Sequence, residues 1–194
     1  MPSHDASEQM LGYLYQVRYA LSLLLKNDNP NYQISIEKFD DVAFVENDIP
    51  KQLIQVKHHV KKYGDLTDMS TDLWRTLKVW IDIIIKSPNL VDDTDFLIIT
   101  TADAPNNTAA YYLKENINRD VDKAYGILKN VCVESKSKGN KKYYEVFLKM
   151  DQNIIRNLIS KIFVVDGASN IMNVEKDIRK QIRYSCVPKF ENAI

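Results

Sequence analysis

Cysteine occurs only twice in the 194 residues, as Cys132 and Cys186, and neither belongs to a Cys-x-x-Cys pair. That scarcity excludes a disulfide framework and a thiolate zinc site, and reads as two reduced thiols of a cytoplasmic protein. Glycine (5) and proline (6) are also sparse, which leaves no long low-complexity linker. No apolar run approaches the roughly 20 residues that cross a bilayer; FLII, residues 96–99, is typical of the longest. The opening MPSHDASEQM is polar and lacks the apolar centre of a signal peptide. Charge of one sign is missing too. Lys plus Arg and Asp plus Glu both number 26, so a nucleic-acid partner would have to meet a local patch rather than a global field.

What is present is an ordinary globular composition, 45% hydrophobic and 27% charged, at a length that builds a full core. Leu14, Val17, Leu21, Leu24 and Leu25 recur at helical spacing, so residues 7–26 are expected to form a helix capped by Ser7. NDNPN ends it. Three β-type runs follow, YQISIEKF, DVAFV and QLIQVKHH, the last two separated by ENDIPK. Their short connections predict an antiparallel meander. A second helix carries Leu73, Leu77, Trp80, Ile81 and Ile84 on one face, capped by Ser70 or Thr71 and closed before Pro88. The uninterrupted DFLIITT, 95–101, reads as a strand covered on both faces.

Downstream, helices are expected over NTAAYYLKENI and RDVDKAYGILKNV, and a loop over the basic ESKSKGNKK. A short strand near YYEVFL, a helix from Asp151 to Ser160, a strand KIFVVD and a closing helix from Val174 to Arg183 complete the pattern. The fold class is α/β, a mixed sheet flanked by helices. Residues 1–105 form the core, and 106–194 a mostly helical extension packed on it.

The chemistry concentrates in LIQVKHH. An ammonium inside an apolar strand needs an anionic partner. Strand alternation points Gln55 and Lys57 one way and Ile54, Val56 and His58 the other. If DVAFV pairs with this strand as a hairpin, Asp41 comes beside Gln55 and Lys57, with Glu37 at the end of the first strand. A carboxylate and an amide oxygen are hard ligands of the kind Mg²⁺ accepts. A metal-bound water is more acidic than bulk water, and a lysine beside it can offset developing charge. Phosphodiester hydrolysis needs these parts. From the residues alone, Asp41 and Lys57 read equally well as a structural ion pair.

Helix, three strands, helix, strand, with Asp41 opening the second strand and Gln55-Val56-Lys57 in the third, resembles the PD-(D/E)XK nuclease superfamily. Glutamine in place of the usual acid resembles its Mrr-like Q-x-K branch. In order, GYLYQVRYAL, EKFDDVAF, LIQVKHH, DLWRTLKVW and FLIITTA are similar to the double-stranded DNA endonuclease domain of bacterial CD-NTase-associated, SAVED-linked anti-phage effectors. The similarity spans about residues 8–105 and continues more weakly to about 185.

The resemblance implies a restriction-endonuclease-like αβββαβ core and a metal-dependent endonuclease. Asp41 would be the primary metal ligand, Lys57 the catalytic lysine, and Gln55 would stand where Glu or Asp is usual. Glu37 is favoured over Asp40 as the compensating carboxylate, so Asp41, Gln55 and Glu37 hold Mg²⁺ or Mn²⁺. Gln16 and Asp40 are site-lining candidates, although Asp40 also reads as a turn residue and Gln16 as a core amide. The implied partners are double-stranded DNA, a second copy of the chain when active, and a fused sensor or ATPase module. No membrane is implied.

KHHVKK leaves the proposed site directly, which makes His59, Lys61 and Lys62 candidates for DNA-backbone contacts, against the plain reading of a solvated face. His58 and His59 face opposite sides of a strand and poorly suit one zinc ion. Trp74 and Trp80 read as core. The alternative function is a catalytically silent nuclease-fold module for DNA binding or protein docking. A nuclease acting on RNA or on single strands is a third reading.

Overall fold

The computed structural model describes residues 4–57 and 64–190, with side chains described over 10–57 and 64–184. The elements run α1 (His4–Lys26), β1 (Gln33–Ile36), β2 (Val42–Glu46), β3 (Ile49–Lys57), α2 (Thr71–Lys86), α3 (Leu90–Asp93), β4 (Asp95–Thr100), α4 (Ala109–Tyr112), α5 (Val121–Glu134), α6 (Lys141–Lys149), α7 (Gln152–Ser160), β5 (Ile162–Val165) and α8 (Ile171–Phe190). The strands make one sheet in the order β1-β2-β3-β4-β5. The first three pair antiparallel, as the short connections predict, and β4 pairs parallel with β3 and β5. Among the described residues no helix is long and apolar enough to cross a membrane.

Alternation along β2 and β3 splits the apolar residues between two cores. Ala43, Val45 and Leu53 join the helices α2, α5, α6 and α7 on one face of the sheet. Val42, Phe44, Ile54 and Val56 join Tyr15 and Ala20 of α1 and Val174 and Ile178 of α8 on the other. The α2 stripe falls where the spacing predicts: Leu73, Trp74, Leu77, Trp80, Ile81 and Ile84 are all buried. Beyond residue 105 the chain supplies β5, paired with β4, and α8, tied to α1 by Arg18 and Glu175 at 3.0 Å.

Several elements differ from the sequence expectation. Helix α1 starts at His4, ahead of the expected cap Ser7. Its leucine stripe faces outward. Met10, Leu11, Tyr13, Leu14, Leu21, Leu24 and Leu25 are exposed, while Tyr15, Ala20 and Ser22 are buried. The inward side is chosen by Tyr15, whose hydroxyl donates to the Ser169 carbonyl at 2.7 Å ahead of α8. The segment YYEVFL is helical, not a strand, because Tyr143, Tyr144 and Phe147 bury one helical side against Trp74 and Tyr125. The helix expected over 107–117 shrinks to Ala109–Tyr112; Lys114 then bridges to Val164 at the sheet. The closing helix is longer, Ile171–Phe190, and the short α3 was not expected.

β1 stops at Ile36 because Glu37 takes a left-handed φ of 60° and its N–H bonds the Asp41 carbonyl at 3.2 Å. Residues 37–41 are thus a tight connection that delivers Asp40 and Asp41 to the mouth of β2. β2 and β3 meet across Asn47 and Asp48, both with positive φ (51° and 63°), as a two-residue type I′ loop demands. The register shifts between Phe44 and Val45, where Val45 pairs with Pro50. Proline is tolerated there because β4 pairs with β3 only from Gln52 onward. Glycine is the favoured second residue of a type I′ loop. Asp48→Gly is therefore expected to raise stability by about 0.5–1 kcal/mol in urea denaturation, whereas Asp48→Val should lower it.

Candidate active site

β3 and β4 run parallel, with Lys57 opposite Thr100, so both carboxyl ends open at one edge of the sheet. β2 starts at this edge because it runs the other way. Its register pairs Val42 with Ile54 and Ala43 with Leu53. One further step brings Asp41 opposite Gln55. Asp41 then shares the α2 face with Ala43, and Gln55 and Lys57 share it with Leu53.

The side chains meet as this register dictates. Lys57 Nζ donates to Gln55 Oε1 at 2.5 Å and lies 3.8 Å from Asp41 Oδ2. Asp41 Oδ2 also accepts the Val56 N–H at 3.0 Å, which holds the carboxylate along the strand. The Lys57 and Asp41 side chains are 18% and 16% exposed, so the pair is neither a solvated surface contact nor fully enclosed. Two oxygens on neighbouring strands turn toward one ammonium.

Behind them stands Asp40. Its residue is buried, 8% exposed. Oδ1 accepts from the Gln55 amide Nε2 and from the Asp41 N–H, the latter at 3.0 Å. Oδ2 accepts the Trp80 indole N–H at 2.6 Å. Burial pushes this carboxyl up to about 6, against the opposing pull of the Trp80 and Gln55 hydrogen bonds. Thr76 completes the cluster, donating to Gln55 Oε1 at 3.4 Å. Helix α2 therefore gives the site two polar atoms from its otherwise apolar face.

Not every expected residue joins. Glu37 is exposed in the connection between β1 and β2, and the carboxylate against Gln55 is that of Asp40. Gln16 is half-buried on α1, on the opposite side of the sheet from Gln55 and Lys57. His59, Lys61 and Lys62 lie outside the described residues. Trp80 is core, as the sequence suggests, and is also a hydrogen-bond donor to the site. Thr76, a hydroxyl within the stripe 73, 77, 80, 81 and 84, was the legible signal that this face carries more than packing.

No three His, Cys, Asp or Glu side chains cluster in a way that could hold a metal ion, among the described residues. A cation here would rest on the Asp41 carboxylate, the Gln55 amide oxygen and water. Those two oxygens already converge on one positive charge, and hard oxygen donors of this type suit Mg²⁺ or Mn²⁺. The donor set fits. No protein-family model matches the chain, and no curated protein matches it significantly.

The Asp40 environment has a measurable consequence. A carboxyl raised on folding binds its proton more tightly in the folded state, so its stabilising contribution is full below its unfolded value near 3.8 and is lost as pH rises through about 6. Metal-free wild type is expected to lose about 2 kcal/mol relative to Asp40→Asn between pH 4 and 7, read from urea midpoints. Parallel pH profiles for the two proteins would contradict this.

Proposed function

We propose that the chain is a metal-dependent endonuclease of the PD-(D/E)XK type, Q-x-K branch, that hydrolyses phosphodiester bonds of double-stranded DNA. In this reading it is the effector part of a bacterial anti-phage protein and is joined to a sensor or ATPase module. One observation carries the reading: Asp41 Oδ2 and Gln55 Oε1 face the Lys57 ammonium at the open end of a parallel strand pair.

Asp41 and Gln55 would hold Mg²⁺ or Mn²⁺. When bound, the ion supplies Lewis-acid stabilisation of the phosphate and a more acidic water. The remaining work falls to the protein. The Val56 N–H keeps one Asp41 oxygen aligned with the strand. Lys57, on a flexible stem, turns from its resting oxygens to the scissile phosphate and donates to the oxygen on which charge builds. The lysine's counter-charge is thus the Asp41 carboxylate at rest and the phosphate in action.

Cutting both strands takes two such sites, and the outward face of α1 supports a symmetric pair. Met10, Leu14, Val17, Leu21 and Leu24 recur at alternating steps of four and three, the spacing of a helix-pairing seam. Four of the five are exposed, and Arg18 is the one charged residue between Met10 and Leu25. We infer a two-fold homodimer through this seam.

Plasmid cleavage tests the activity. Cutting is expected with Mg²⁺ or Mn²⁺ and not with EDTA, and should fall by about 10³-fold or more in Lys57→Ala and Asp41→Ala. Equal cutting by wild type and both variants would remove the proposal. Metal-independent DNA retention without cutting, unchanged in both variants, would favour the silent binding module. For assembly, light scattering should show a dimer for wild type and a monomer for Leu14→Glu/Leu21→Glu, with unchanged circular dichroism. A monomeric wild type at about 100 μM would sink the seam.

A further inference from the structure

We propose that Asp40 is a positioning residue that fixes which way the Gln55 amide points and supplies, from behind, the negative charge that Gln55 lacks. This rests on the reading of Gln55 as a cation ligand, but the orientation itself belongs to the metal-free protein.

The argument is one of donors and acceptors. A side-chain amide has two ends of similar size and opposite hydrogen-bonding character. On one side of Gln55 stands an ammonium, which only donates. On the other stands a buried carboxylate, which, ionised, only accepts. Only one orientation satisfies both: Nε2 toward Asp40 and Oε1 toward Lys57. The reverse would set Nε2–H against the Lys57 ammonium and Oε1 against a carboxylate. The oxygen is thereby presented to the cation position whatever Lys57 does next.

Asp40 is itself held. The Trp80 indole and the Asp41 N–H donate to it, and Trp80 is fully buried with its ring 5.2 Å from Phe96. The chain Trp80, Asp40, Gln55, Lys57 is thus a continuous path from the α2 core to the site. A carboxylate hydrogen-bonded to a ligand's far side also raises that ligand's electron density, as outer partners of metal ligands commonly do. Asp40 makes a neutral amide behave more like the acid it replaces.

The test uses the full chain and three substitutions. In metal-free wild type, the Gln55 side-chain amide protons, assigned by NMR through loss of the signal in Gln55→Ala, should resonate well downfield and return to ordinary positions in Asp40→Asn. Mn²⁺ affinity, measured by calorimetry, should fall 10- to 100-fold in Asp40→Asn. Gln55→Glu alone sets two buried carboxylates face to face and should lower the metal-free Tm. Adding Asp40→Asn should recover part of that loss, because the new amide donates to Glu while its oxygen keeps Trp80, at the expense of the bond from the Asp41 N–H. An unshifted Gln55 amide in wild type, or a double variant no more stable than Gln55→Glu, overturns the inference. If wild type binds no Mn²⁺ and cuts no DNA while the amide signature and the Tm rescue hold, the nuclease reading falls and the positioning by Asp40 stands.

Discussion

A carboxamide clamped between an ammonium and a buried carboxylate is the constraint on which this structure turns. Gln55 can satisfy Lys57 and Asp40 together only in one orientation and only from one face of β3. The hairpin decides that face. A one-residue slip between β2 and β3 would carry Gln55 and Lys57 to the α1 side and push Ile54 and Val56 against Thr76 and Trp80. The slip is opposed on both faces at once, because Leu53 and Ile54 are each fully buried in different cores. The tight turn at Asn47 and Asp48 and the irregularity at Pro50 complete the specification from the far end of the hairpin.

The polar cluster does not hold the fold together. Desolvating a carboxylate costs several kcal/mol even after hydrogen bonding, and the three donors around Asp40 do not keep its carboxyl at an ordinary value. Stability comes instead from the two apolar cores, to which the α2 stripe contributes, at roughly 1.5–3 kcal/mol for each large side chain buried. The same helix therefore supplies both the surplus and the expenditure. Leu73, Leu77, Ile81 and Ile84 pack, while Thr76 and Trp80 reach the site from the same face. Polar groups kept in an apolar layer at a net cost in stability are what functional sites characteristically show.

How much of this was legible in the sequence depended on the range of the interaction. Period-two alternation placed Asp41, Gln55 and Lys57 on one face, and the structure brings these three together. Helical spacing located α1 and α2. Legibility failed where tertiary contacts choose among locally equal options. YYEVFL carries β-type residues but is nine residues of helix with its neighbours, because Trp74 and Tyr125 offer an aromatic surface to one helical side. In α1 the leucines show the helical spacing, but Tyr15 and Ala20 take the buried side. Asp40 looked like a turn residue because Asp favours turns. Its partner Trp80 is forty residues away, beyond any local pattern.

Asp40 also bears on what a glutamine does at position 55 that an acid would not. With Glu at position 55, three carboxylates (Asp40, Asp41 and the new one) and one lysine would crowd one small volume. With Gln55 there is one negative charge fewer, and the charge of Asp40 is set back in the protein, tied to Trp80 and a backbone N–H. The amide then transmits part of that charge through its dipole, toward Lys57 or toward a cation in its place. The arrangement is satisfied by the protein itself, since both polar atoms of the Gln55 side chain have protein partners. A cluster built this way is held in shape by its own hydrogen bonds, with Lys57 beside the Gln55 and Asp41 oxygens.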